Sequence, residues 1–170
     1  MSLVSIVVGL PGSGKTTYLE GNFHGRFFDD FHGGSVNDIP TLPNSRHCSA
    51  VREALQTGLD FAISDIAYCE SARLEQIKKE FRRLGGELGI EIETSEIYFA
   101  NSPSICKHNI ARRFNGEKTD KYSLQVRLID ELSSKYMCSA VGILPVITPC
   151  TKVGNTVEQS IVQCPYNNLE

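Results

Sequence analysis

The clearest chemistry in this 170-residue chain lies in Gly9-Leu10-Pro11-Gly12-Ser13-Gly14-Lys15-Thr16, with Thr17 following. A glycine, four residues and then Gly-Lys-Ser/Thr is the spacing of a phosphate-binding loop. Glycines let the backbone wind around an anion so that successive N–H groups point inward at phosphate oxygens. A helix starting at the end of such a loop adds unpaired N–H groups and the positive end of its dipole. Lys15 is placed to reach the β and γ phosphates, and the Thr16 hydroxyl is a ligand type suited to Mg²⁺. The residues therefore predict a nucleoside triphosphate site in which Gly9, Gly12, Ser13, Gly14, Lys15, Thr16 and Thr17 surround the phosphates. A glycine-rich turn with a chance lysine is the bland alternative. The flanking residues count against it, because a strand before the loop and a helix start after it are both legible.

Three acids and two arginines extend the picture. Asp29 and Asp30 close a short apolar run, Arg26-Phe27-Phe28, and Asp65 closes a longer one, Leu59 to Ser64. In open parallel sheets, ligands bind outside the carboxyl ends of the strands, so acids there face the same crevice as the loop. Asp65 stands where an acid would hold Mg²⁺ through water, whereas Asp60 belongs to the strand entrance. A solvated turn is the competing explanation for Asp29-Asp30. Arg112 and Arg113 end a helical segment just before the polar stretch Asn115-Gly116-Glu117-Lys118. An arginine brought in from such an arm can neutralise the charge spread over a phosphoryl group in transfer. Two ordinary surface arginines are the alternative.

Elements must hold these residues in place. Leu3 to Val8 is a β-branched run typical of a strand buried on both faces. A helix follows from Thr16 to Gly21, and a loop rich in Gly, Pro and Asn spans Gly33 to Asn44, a candidate substrate lid. Helices are predicted from Ser45 or Ser49 to Gln56, from Glu70 to Leu84 with Gly85-Gly86 closing it, from Ser104 to Arg113 and from Tyr122 to Tyr136. Further strands fall at Leu59 to Asp65, within Ile90 to Ala100 and at Val141 to Ile147, where Pro145 implies a sheet edge or an early end. Residues 157–162 read as a short helix or strand, and Gln163 to Glu170 as a frayed terminus. Lys78, Lys79, Arg82 and Arg83 form a basic cluster that suits a solvated helix face better than nucleic acid.

The totals fit one soluble domain. Apolar content is 41%, charged content 22% and net charge −3, which gives no global attraction to nucleic acid or anionic membranes. No apolar run is long enough for a membrane span. Six cysteines, Cys48, Cys69, Cys106, Cys138, Cys150 and Cys164, are scattered without a CxxC pair. With no secretory signal, they read as reduced thiols in a cytoplasmic protein.

With these pieces placed, the chain resembles the small P-loop kinases of the polynucleotide-kinase type, within the adenylate-kinase-like group, over roughly residues 3 to 136. That resemblance implies an α/β P-loop NTPase fold: three layers, α/β/α, around a five-stranded mostly parallel sheet, with a short lid at about 107–121. It implies ATP and Mg²⁺, Lys15, Asp29 and Arg112 as catalytic residues with Asp29 the general base, Arg112 also on the nucleotide, and Thr16 and Asp65 near the metal. The family's lid pattern, Arg-Asn-x-x-Arg, is matched by His108-Asn109-Ile110-Ala111-Arg112. Two departures stand out. His108 replaces the first lid arginine, so Arg112, with Lys107 or Arg113, must supply the cation. His32 replaces a substrate-gripping arginine two residues after the second aspartate, which leans away from a polynucleotide acceptor. The expected activity is γ-phosphate transfer to a hydroxyl acceptor, either an oligonucleotide 5′ end or a nucleoside, nucleotide or other small metabolite. A non-catalytic ATP-binding regulatory module is the alternative from a different class.

Overall fold

The structure, a computed structural model, describes residues 1–32, 47–138 and 142–148. The chain runs through β1 (Ser2–Val8), α1 (Lys15–Phe23), β2 (Phe27–Phe28), α2 (Cys48–Gln56), β3 (Phe61–Ser64), a 3-10 turn (Ile66–Cys69), α3 (Ser71–Leu88), β4 (Ile92–Phe99), α4 (Pro103–Arg113), α5 (Asp120–Ser133) and β5 (Ile143–Leu144). The five strands form one sheet in the order β2-β3-β1-β4-β5. Every pairing is parallel, with Val4 opposite Phe61 on one side of β1 and opposite Thr94 on the other. The expected mostly parallel sheet is thus all parallel among the described strands.

Burial follows from the pleat. Val4, Ile6 and Val8 of β1 enter a large apolar cluster with Val51 and Leu55 of α2, Leu74, Ile77 and Phe81 of α3, Ile110 of α4 and Ile129 and Leu132 of α5. Val7 points the other way, into a smaller cluster with Leu19 of α1, Ala62 and Phe99. Helices therefore cover both faces, which is why the central strand is mostly apolar and its mid-strand polar residue, Ser5, pairs with the Ser95 hydroxyl at 3.2 Å. No described helix is long and apolar enough to cross a membrane.

Several boundaries differ from those expected. α1 continues through Gly21 to Phe23, where an added Cβ at Gly21 would meet nothing within 4 Å; the chain turns instead at His24 and Gly25, both left-handed. α3 likewise runs past Gly85-Gly86. Gly85 is there for close approach, since a Cβ would lie 2.8 Å from the Ile90 carbonyl oxygen. The true stop is left-handed Gly89, after which the Ile90 N–H donates back to the Gly85 carbonyl at 3.0 Å, the wide turn that satisfies helix-end carbonyls. α5 starts earlier than Tyr122 because the Thr119 side chain accepts from the Tyr122 N–H, and it ends at Ser133. β5 is two residues at the sheet edge, ended by Pro145, in keeping with the expectation for that proline. The candidate lid at Gly33 to Asn44, the segment 157–162 and the frayed end lie outside the described residues.

Tyr136, past the end of α5, ties the two central strands at their carboxyl ends. Its buried hydroxyl lies 2.5 Å from the Phe99 carbonyl oxygen and 3.1 Å from that of Val8. Burial pushes its pKa well up, so it stays a donor at any working pH. Tyr136→Phe is expected to cost about 1–2 kcal/mol by leaving these carbonyls one donor short. A lower midpoint in urea with an unchanged slope would show it; an unchanged midpoint would show that the bond contributes nothing.

Candidate phosphate-loop site

The segment between β1 and α1 is a tight turn at the carboxyl end of the central strand. Gly12 and Gly14 are left-handed, with φ of 78° and 96°, and Ser13 N–H donates to the Leu10 carbonyl at 3.1 Å. Side chains at either glycine would also collide. A Cβ on Gly12 would sit 2.6 Å from the Cys106 carbonyl oxygen, and one on Gly14 would sit 2.6 Å from Ile147 Cβ. The glycines are thus needed twice, for dihedral and for space.

α1 begins without a side-chain cap, at Gly14. Its first intrahelical bond runs from Tyr18 N–H to the Gly14 carbonyl at 3.0 Å. The N–H groups of Lys15, Thr16 and Thr17 precede that bond, so the helix itself gives them no acceptor. The Ser13 hydroxyl, fully buried, also has no hydrogen-bond partner. Donors left open at a helix N-terminus are an anion site in waiting.

Lys15 is 8% exposed, and its ammonium donates to the carbonyls of Gly9 at 2.8 Å and Leu10 at 3.1 Å. An ammonium has three protons, so one remains for a ligand. Its charge is felt by two thiols below the loop, which burial nevertheless raises, Cys69 to about 12 and Cys106 to about 11. Both are therefore protonated at neutral pH. Cys48, Cys69, Cys106 and Cys138 are all free, as expected; Cys150 and Cys164 lie outside the described residues.

Of the predicted acids, Asp29 joins the loop directly. Thr16 Oγ1 donates to Asp29 Oδ2 at 2.5 Å, while Asp29 Oδ1 accepts the Asp30 N–H at 3.1 Å. Asp30 itself is exposed and left-handed, with φ of 48°. Asp65 is placed differently. It is 1% exposed, and its two oxygens accept the N–H of His32 at 2.8 Å and of Ala67 at 2.9 Å. That carboxylate stitches the segment after β2 to the end of β3 and caps the 3-10 turn. Asp60 receives the Leu3 N–H at 2.7 Å, at the strand entrance as expected. Among the described residues, no three His, Cys, Asp or Glu side chains gather as a metal site.

His32 sits edge-on to both Phe31 and Tyr68. Burial lowers its pKa, with the Arg73 charge adding to the effect and Asp65 opposing it, so the imidazole is neutral at pH 7. Arg112 lines an open concavity of about 520 Å³ with His108, Ala111, Asn115 and Gly116. The Arg112 carbonyl accepts the Asn115 N–H at 3.1 Å, but no hydrogen bond or ion pair ties its guanidinium to another described residue. Lys107, the other cation considered for this arm, is engaged at 2.5 Å with Asp130 of α5. Two of the four cations in the basic cluster on α3 are ion-paired: Lys78 with Glu75 and Glu96, and Arg83 with Glu80 and Glu87.

Sequence reasoning overlooked one contributor. Asn109 entered only as a letter of the lid pattern, yet its amide reaches the loop itself. A comparison with models of known protein families and with curated protein sequences gives no match, so the site is read from its residues and geometry alone.

Proposed function

We propose that this chain is an ATP-dependent kinase with a P-loop NTPase fold, moving the γ-phosphate to a hydroxyl acceptor. The observation that carries the reading is the uncapped start of α1, reached through left-handed Gly12 and Gly14, with Lys15 buried at its base and Thr16 held by Asp29 at 2.5 Å. Phosphate oxygens would take the open N–H groups and the third ammonium proton of Lys15. Thr16 donates its own proton to Asp29, which leaves the hydroxyl oxygen's lone pairs for Mg²⁺. Hydroxyl and carboxylate oxygens are the donor types that ion takes, and Asp65, spent on two backbone N–H groups, would act on it at most through water. Bound Mg²⁺ supplies charge neutralisation across the transferring phosphates.

Asp29 would then accept the proton from the acceptor hydroxyl as the new O–P bond forms and the bond to the ADP oxygen breaks. A carboxylate suffices for this because, in a loose transition state, proton removal comes late. Arg112, unpaired on the neighbouring arm, would balance the charge on the moving group. A polynucleotide 5′-hydroxyl and a small metabolite both remain acceptors of the right chemistry; neutral His32 favours the second, since it adds no grip on a phosphodiester backbone.

The test is transfer of labelled γ-phosphate from ATP and Mg²⁺ to 5′-hydroxyl oligonucleotides, nucleosides, nucleoside monophosphates and sugars. Label on one acceptor class supports the reading and names the substrate. ATP bound tightly with no acceptor labelled would sink it in favour of a regulatory nucleotide-binding module.

A further inference from the structure

Asn109 lies in the middle of α4, 5% exposed. Its amide nitrogen donates to the Gly12 carbonyl at 2.8 Å and to the Ile147 carbonyl at 2.9 Å. Ile147 in turn donates its own N–H to the Ser13 carbonyl at 3.0 Å. Ile147 also fills the space that a side chain on Gly14 would need. Two backbone segments far apart in sequence, the loop and the stretch after β5, therefore close on one amide carried by α4. Two of these bonds engage loop carbonyls, those of Gly12 and Ser13. They hold loop acceptors and take up none of the N–H groups at the start of α1.

We infer that Asn109 is a positioning residue that holds the Gly9–Lys15 loop in its anion-binding shape before any ligand arrives. This rests on the phosphate-loop reading above. A loop held open in advance pays no ordering cost on binding, so the tether acts on affinity rather than on the chemical step. It also fixes α4, with Cys106 and Ile110 buried beside Asn109. The segment at 107–113 is then a docked helix rather than a free lid, and only the turn after Arg113 is left to move.

Asn109→Leu keeps most of the volume and removes both donors. In the full chain, KM for ATP is expected to rise about 10- to 100-fold, as two unpaired carbonyls would imply, with kcat at saturating ATP within a few-fold of wild type. Amide exchange at Ser13 and Ile147 should speed up at least as much, while β1 and β3 exchange as before. Unchanged KM and unchanged exchange at those two amides would overturn the inference, since a residue that only fills space is satisfied by leucine. Should N109L not fold, the wild-type side-chain amide protons of Asn109 decide: slow exchange supports the tether and solvent-rate exchange refutes it. A wild-type chain that binds no ATP would instead refute the phosphate-loop reading, with the exchange data still judging the tether.

Discussion

Asp29→Asn is expected to lower phosphoryl transfer by about 10²- to 10⁴-fold, the usual worth of a positioned general base, while ATP affinity changes only a few-fold. The substitution is nearly isosteric. An asparagine oxygen can still accept the Thr16 hydroxyl proton that Asp29 Oδ2 takes at 2.5 Å, which keeps the link to the loop and gives up only the local bond from the exposed Asp30 N–H. What disappears is the negative charge and the ability to receive a proton. Two roles of Asp29 can be told apart in the same experiment. If the carboxylate serves mainly by orienting Thr16 toward the metal, D29N raises the Mg²⁺ concentration needed for half-maximal rate, and excess Mg²⁺ restores activity. If it is the base, no Mg²⁺ concentration rescues transfer. Retained transfer at ordinary Mg²⁺ would remove Asp29 from the mechanism.

The second large effect is expected from Lys15→Ala. A hydrogen bond to a charged group contributes about 1.5–3 kcal/mol, so loss of a bond to phosphate should weaken ATP binding about 10- to 100-fold, and transfer should fall further if, as proposed, the same charge would face the γ group during reaction. Lys15 also holds the carbonyls of Gly9 and Leu10 from a nearly buried position. Unlike a purely surface lysine, its removal should therefore lower thermal stability in the absence of nucleotide, with an apparent Tm drop of a few degrees. Lys15→Arg separates the two roles. It keeps the charge, but its planar fork does not reproduce a compact ammonium bridging two adjacent carbonyls. Titration calorimetry and thermal melts on the three proteins check this. Equal ATP affinity in all three would contradict the placement of Lys15 at the phosphates.

Much of this was legible because it is local. Val4 to Val8, the glycine loop and the start of α1 are contiguous, and short-range periodicity and turn chemistry suffice to place them. The parallel sheet was foreseeable from apolar runs alternating with helical stretches. Sequence alone falls short where distant residues decide. Gly85 looks like a helix stop in sequence, but the Ile90 carbonyl needs its missing side chain, and the helix goes on to Gly89. Asp65 ends an apolar strand as a metal acid would, yet its oxygens are claimed by N–H groups of His32 and Ala67, one of them on a separate segment. Asn109, polar and mid-helix, shows in sequence only as a letter of the lid pattern. Its role depends on carbonyls contributed by Gly12 and Ile147, and no window of sequence contains all three.

In the proposed function, the loop from Gly9 to Thr16 grips the phosphates of a nucleoside triphosphate. The most direct measurement is calorimetric binding of ATP with Mg²⁺ beside adenosine, which has the base and sugar but no phosphate. ATP is expected to bind at least about a hundredfold tighter than adenosine, a gap of roughly 2.7 kcal/mol, with most of that gap collapsing in K15A. Adenosine bound as well as ATP, or no ATP binding by the intact chain, would contradict it.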